Sequence, residues 1–370
     1  MTSVLFFIAA ILMLFVVDNK GYKFFVKFVL FASLVVPMTI VVMQKTLGTS
    51  KSKALLANVL LLCVAVSVVF ITAEFFVRFM FADITTTGDN TSYFARKWRK
   101  TNKPSLNSLG FREREISKQK PIGVYRIAVV GDSFTYGQGI AENDRFSSII
   151  ERRLNGINNS YQVYNFGIPG AETVDHIGFL NVIFEIDPDF ILLQWFINDV
   201  EGHDKAARPT YYRLIPSDYL SSSLHRNSAL FFLINRQWRA LQSQFGLVGS
   251  YEGSMNARFS DIETGDSQRS IRELDEFITL VKDKNIQLGI VMFPNLVQAE
   301  GGIEKYSFGF LFDRVIYACL ENDIQCIDMR SEFAKENPKE LWVNKFDHHP
   351  SVLANKIATD IILQTFINEW

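Results

Sequence analysis

A chain of 370 residues, 48% of them apolar, is long enough for a membrane part followed by one catalytic domain. Its net charge of -1 gives no whole-chain reason to expect a nucleic-acid partner, and three cysteines do not make a disulfide scaffold. The apolar residues are concentrated between Thr2 and Ala82, and the remainder reads as an ordinary water-facing domain.

Three apolar stretches predict N-terminal transmembrane helices: Ser3–Val17, Phe24–Met43 and Ala54–Ala73, the last continuing to Arg78. At about 1.5 Å per residue, the second and third can each cross a hydrocarbon core of about 30 Å. The first has no basic segment before it and no small-residue cleavage site after it, so it reads as an uncleaved helix. Lys27 can snorkel to the headgroups, and Pro37 kinks the second helix. Glu74 precedes Arg78 by one helical turn, the favourable order for an ion pair. The pair reads as an interfacial anchor, or as a polar contact with a partner membrane protein or a lipid headgroup. Lys45, Lys51 and Lys53 make the loop between the second and third helices cytoplasmic, which puts everything after Ala82 outside. Arg96, Lys97, Arg99 and Lys100 argue the other way. The expected organisation is a multi-pass region at 1–82 in an inner or plasma membrane, a linker at 83–106 and an extracytoplasmic domain at 107–370. The linker reads as solvated, or as a patch touching anionic headgroups or an acidic glycan.

Strands and helices then alternate. Tyr125–Val130, Gln162–Phe166, Phe190–Phe196, Gln287–Phe293 and Gln325–Met329 are short apolar runs that predict strands. Glu142–Leu154, Val174–Glu185, Ile271–Lys284, Tyr306–Asn322 and Val352–Ile367 have helical spacing. The pattern predicts an α/β fold, a three-layer sandwich around a parallel sheet. Residues 200–270 break the alternation and read as an insertion at the carboxyl edge of the sheet. Within it, Ser228–Leu241 reads as a covering helix, with an acyl-chain groove or a membrane-lying lid as alternatives. Cys319 and Cys326 flank a helix-to-strand turn and read as two buried thiols, with a disulfide as the alternative.

Four constellations carry chemistry. In Gly131-Asp-Ser133, a buried strand runs into a serine that precedes a helical stretch. Its hydroxyl is presented at the sheet edge, where main-chain N–H groups and the helix end can stabilise an oxyanion. A serine so placed can equally be only an N-cap. Residue 135 is threonine, so the Gly-x-Ser-x-Gly elbow of α/β-hydrolases is absent. Asn165-Phe-Gly-Ile-Pro-Gly170 follows the next strand, where glycines let the main chain approach a substrate, or simply make a turn. Asn198-Asp199 ends a buried strand, where an amide side chain can donate to an oxyanion or cap a loop. Asp347-His-His-Pro350 precedes the last helix and offers a base with an orienting carboxylate. His176, His203 and His225 look incidental, and two adjacent histidines without a second ligand cluster do not suggest a metal.

In this order over Asn107–Trp370, the four motifs resemble the SGNH (GDSL-like) hydrolase family. The segment Asn107-Ser-Leu-Gly-Phe-Arg112 also resembles membrane-anchored bacterial members. The resemblance implies Ser133 as nucleophile, with the Ser133 N–H, Gly170 and Asn198 as oxyanion donors. It further implies His349 as base (His348 being the alternative) and Asp347 as orienting acid, with no cofactor and no metal. Two positions depart from the family pattern: Phe196 stands where glycine is usual, and Asp347 is one residue closer to His349 than in Asp-x-x-His. The implied activity is cleavage of an acyl ester in a small molecule, glycan or lipid at the membrane. An acyltransferase working with a membrane-protein partner and a non-catalytic glycan-binding module are the alternatives.

Overall fold

The computed structural model describes residues 50–89, 91–157, 160–202, 210–215 and 217–370, with side chains described from Ala54 onward. The first two expected membrane helices, with Lys27, Pro37 and Lys45, lie outside the described residues, as does His203. The described residues hold one helix long and apolar enough to cross a membrane, Ala54–Met80, by length and composition. A multi-pass arrangement has no support among them.

Two compact units are formed. In the first, the described residues up to Asp83 join Thr91–Tyr93 and Arg213–Ala240. Its long helix α1 (Ser50–Met80) exposes Leu61, Leu62 and Val69 along its apolar length. Near its end Glu74 pairs with Arg78 at 2.6 Å, and the carboxylate also accepts from Ser228 Oγ, Ala229 N and Leu230 N. Arg78 donates to Asn227 O and lies over the Tyr93 ring. The pair expected as an interfacial anchor, or as a contact with a partner protein or lipid headgroup, caps a helix of this chain's own insertion. A carboxylate accepting two main-chain N–H groups satisfies donors that a helix start otherwise leaves unpaired.

The second unit comprises Ile84–Asn90, Phe94–Tyr212 and Leu241–Trp370. It begins with α2 (Tyr93–Asn102), where Phe94, Ala95 and Trp98 are buried. The segment expected as a solvated linker is thus folded, because an amphipathic turn pattern gives it an apolar face. There follow β1 (Tyr125–Gly131), α3 (Ser133–Tyr136), α4 (Phe146–Asn155), β2 (Tyr161–Gly167), α5 (Thr173–Phe184) and β3 (Phe190–Trp195). The insertion carries α6 (Asp218–Asn227) and α7 (Ala229–Gln244), which belong to the first unit up to Ala240, and α8 (Tyr251–Phe259) of the second. Beyond it come α9 (Gly265–Lys282), β4 (Gln287–Met292), α10 (Gly309–Glu321), β5 (Gln325–Asp328), α11 (Arg330–Phe333) and α12 (Pro338–Leu341). The chain closes with β6 (Trp342–Asn344), β7 (Asp347–Pro350) and α13 (Val352–Phe366).

Strands β1 to β5 form one parallel sheet in the order β2-β1-β3-β4-β5, and β6 and β7 form a separate antiparallel hairpin. Successive residues on a strand face opposite sides, so the strands feed two cores. Ala128, Val130, Ile191 and Leu193 join one core with Leu180, Phe277 and Phe312 from α5, α9 and α10. Ile127, Val129, Phe190 and Leu192 join the other with Ile150 of α4 and Ile362 and Phe366 of α13. The result is the expected three-layer sandwich. Cys319 of α10 and Cys326 of β5, expected as thiols, are joined in a disulfide, their Cα atoms 6.3 Å apart. They stand seven positions apart across a helix-to-strand turn, and that Cα distance is within the ordinary disulfide range.

Candidate active site

In a parallel sheet of this strand order, the chain leaves β1 and β3 in opposite directions, which opens a crevice at their carboxyl ends. Ser133 follows β1, Gly170 follows β2 and Asn198 follows β3, so all three stand on that edge. Gly131 brings β1 to Ser133, and a Cβ there would collide with the side chains of Thr135 and Gln194. Asp132 Oδ1 accepts from Phe134 N at 2.8 Å and starts the single turn of α3. The far end of α3 is held by Arg112, whose guanidinium donates to the carbonyls of Tyr136, Gly137 and Ile140 at 3.0, 2.8 and 3.1 Å. Beneath the turn, buried Gln194 Oε1 accepts from Thr135 N and from Thr135 Oγ1.

From the other side, the hairpin of β6 and β7 carries Asp347 and His349. His349 Nε2 lies 2.9 Å from Ser133 Oγ, and its Nδ1 lies 2.5 Å from Asp347 Oδ1. The Phe134 ring meets the imidazole edge to face, at 5.6 Å between centroids. Asp347 is fully buried and His349 is slightly open to solvent. Burial opposes the charged imidazole, but the carboxylates of Asp347 and Asp132 hold His349 above the ordinary histidine range. Burial likewise opposes a charged Asp347, yet the charge and hydrogen bonds of His349, with the Thr86 hydroxyl, hold it below the ordinary carboxylate range. Burial pushes Asp132 up to about 6, against the N–H of Phe134.

Gly170 has a φ of +79° and open space where a side chain would stand. Neither its N–H nor that of Ser133 has a main-chain partner among the described residues. Asn198 Nδ2 donates to Ala171 O at 3.0 Å, which ties the turn after β3 to the residue next to Gly170. Asp199 fixes the same turn by accepting from Phe196 N and Thr173 Oγ1. Phe196 packs on Phe134, with ring centroids 4.5 Å apart.

The structure thus brings together Ser133, His349 and Asp347. His348 is turned away and packs against Trp342, with ring centroids 4.4 Å apart and planes tilted by 48°. His225 packs against Phe232, and His176 is buried with Nε2 3.2 Å from Asp199 Oδ1. Sequence patterns alone did not point to Gln194 or to the contacts that Arg112 makes with the turn after Ser133. A glutamine inside an otherwise apolar strand was the signal available for Gln194, since such a group must find partners.

No family model matches the chain, and no curated protein matches it. Solved structures are similar to it over about two thirds of its length. An acetyl xylan esterase is 14% identical with a TM-score of 0.41, covering 65% of this chain and 98% of that one. A psychrotrophic esterase, EstA from Pseudoalteromonas sp., is 13% identical with a TM-score of 0.40, covering 66% and 97%. A lipase/acylhydrolase from Enterococcus faecalis is 12% identical with a TM-score of 0.41, covering 66% and 97%. Likenesses of that strength assign no activity to this chain, and the chemistry of its site is carried by its own residues.

Proposed function

We propose that this chain is a membrane-anchored serine esterase that cleaves acyl esters through an acyl-Ser133 intermediate. The carrying observation is the imidazole of His349, which bridges Ser133 Oγ and Asp347 Oδ1. A serine hydroxyl is a weak nucleophile until a base takes its proton, and the base must hold the right tautomer. With Nδ1–H donated to Asp347, Nε2 is the free acceptor facing the hydroxyl.

Ser133 Oγ attacks the ester carbonyl carbon as its proton passes to His349 Nε2. The carbonyl oxygen becomes an oxyanion held by the N–H groups of Ser133 and Gly170 and by the amide of Asn198. The tetrahedral intermediate collapses, the carbon–oxygen bond to the alcohol breaks, and His349 protonates the departing oxygen. Water then attacks the acyl carbon, giving its proton to His349, and the carboxylic acid leaves as Ser133 Oγ recovers that proton.

The apolar helix Ala54–Met80 supports membrane attachment. The Cys319–Cys326 disulfide supports an extracytoplasmic site, because disulfides persist in oxidising compartments. An O-acylated glycan or lipid at the outer surface is the substrate class such a position suits. Hydrolysis of short-chain nitrophenyl esters by the full chain tests the reading: turnover is expected in the wild type and is lost in Ser133→Ala. Equal turnover in the two proteins would remove Ser133 from the reaction.

A further inference from the structure

We propose that the segment Ile84–Asp89 is part of the catalytic site, with Thr86 as a positioning residue whose hydroxyl orients the Asp347 carboxylate. The inference rests on the esterase reading and adds a group from outside the four motifs.

The segment is buried and fixed. Ile84, Thr86 and Thr87 are buried. Lys97 Nζ donates to Ile84 O, and Asn344 Nδ2 of β6 donates to Thr86 O at 3.1 Å. The second bond ties Thr86 to the hairpin that carries Asp347 and His349. The Thr86 methyl lies against Gly139, together with Val343, so tightly that any side chain at 139 would collide with both. Thr87 Oγ1 donates to Asp89 Oδ2 across the turn. At the turn, Gly88 has a φ of +71°, and a Cβ there would stand 3.4 Å from Asp347 Oδ1 and 3.9 Å from His349 Nδ1. Main chain therefore covers the hydrogen bond between acid and base directly, a closeness that glycine permits.

Asp347 Oδ1 is used by His349, both by its ring and by its main-chain N–H. Oδ2 is buried and has no hydrogen bond of good geometry among the described residues. A buried carboxylate oxygen without a donor is costly, and Thr86 is a buried hydroxyl-bearing residue of the same segment whose Gly88 lies against the carboxylate. Catalytic hydrogen bonds are commonly loose before substrate arrives and tighten in the transition state. As His349 takes the serine proton, positive charge develops on the imidazole beside the ionised Asp347, and a small turn of the Thr86 hydroxyl closes its bond to Oδ2. The carboxylate is then held on two sides, which keeps Oδ1 aimed at Nδ1.

The test compares Thr86→Val, which keeps shape and loses the hydroxyl, with Thr86→Ser, which keeps the hydroxyl, in the full chain. On a short-chain nitrophenyl ester, Thr86→Val is expected to lose about ten- to a hundredfold in kcat, the scale of one hydrogen bond to a charged group, with KM unchanged. Thr86→Ser is expected within about threefold of wild type, well inside that loss. The low-field proton resonance of His349 Nδ1–H gives a readout independent of turnover: it shifts in Thr86→Val and stays in Thr86→Ser. Wild-type kcat and an unshifted resonance in Thr86→Val would overturn the proposal. Equal losses in the two variants would also overturn it, since they would mean packing alone. Failure of the esterase reading is a separate result, visible as wild-type turnover that survives Ser133→Ala.

Discussion

Asp347 and His349 stand two residues apart on β7, and their side chains meet at 2.5 Å. Residues i and i+2 of an extended strand point to the same face, so one intervening residue is the spacing a strand requires. His348, between them, points the other way and packs against Trp342. The departure from Asp-x-x-His is thus a consequence of carrying the pair on a strand.

That geometry separates the two histidines. His348→Ala is expected to keep kcat within about threefold, whereas His349→Ala loses the base and drops about 10⁴-fold or more. Steady-state turnover of both variants checks this, and comparable losses in the two would contradict it.

The pH profile carries a sign. Only neutral His349 can accept the serine proton, and Asp347 raises its pKa above the ordinary value of about 6.5. The acidic limb of kcat/KM should therefore lie above about pH 6.5, with activity lost as pH falls through it. Asp347→Asn removes the larger of the two raising charges and leaves burial opposed only by Asp132, so the limb moves down while kcat falls about 10⁴-fold. A limb that stays in place would deny the coupling.

Asn198 is expected to donate to the oxyanion. Asn198→Ala should cost about 100- to 1,000-fold in kcat with little change in KM, the usual effect of one such donor. A loss below about threefold would leave the amide with its bond to Ala171 as its whole role.

Gln194 is a matter of stability. Its Oε1 satisfies both the N–H and the hydroxyl of Thr135, all of them buried beneath the turn that presents Ser133. Gln194→Ala strands two donors and should lower the unfolding free energy by about 1–3 kcal/mol or more. Denaturant unfolding checks it; an unchanged midpoint would mean that water replaces the amide.

The layers of the sandwich were legible because each strand and helix carries its own periodicity. Val129 and Val130 belong to opposite cores by alternation alone. Ser133, Gly170 and Asn198 were legible because each follows a strand at the edge where such sheets place ligands. Arg112, Thr86 and Gly88 were not, since their roles depend on contacts with residues far along the chain that no local pattern encodes. The same holds for Glu74, whose helix-capping partners, Ser228 to Leu230, lie more than a hundred residues away. The β6–β7 hairpin was too short to show a period, yet it decides which histidine faces Ser133.

The central claim is an activated Ser133. Treating the full chain with a fluorophosphonate and locating the adduct by mass spectrometry tests it most directly. One adduct is expected, on Ser133, absent in Ser133→Ala and strongly slowed in His349→Ala. A folded wild-type protein that stays unlabelled, or carries the adduct elsewhere, would contradict it.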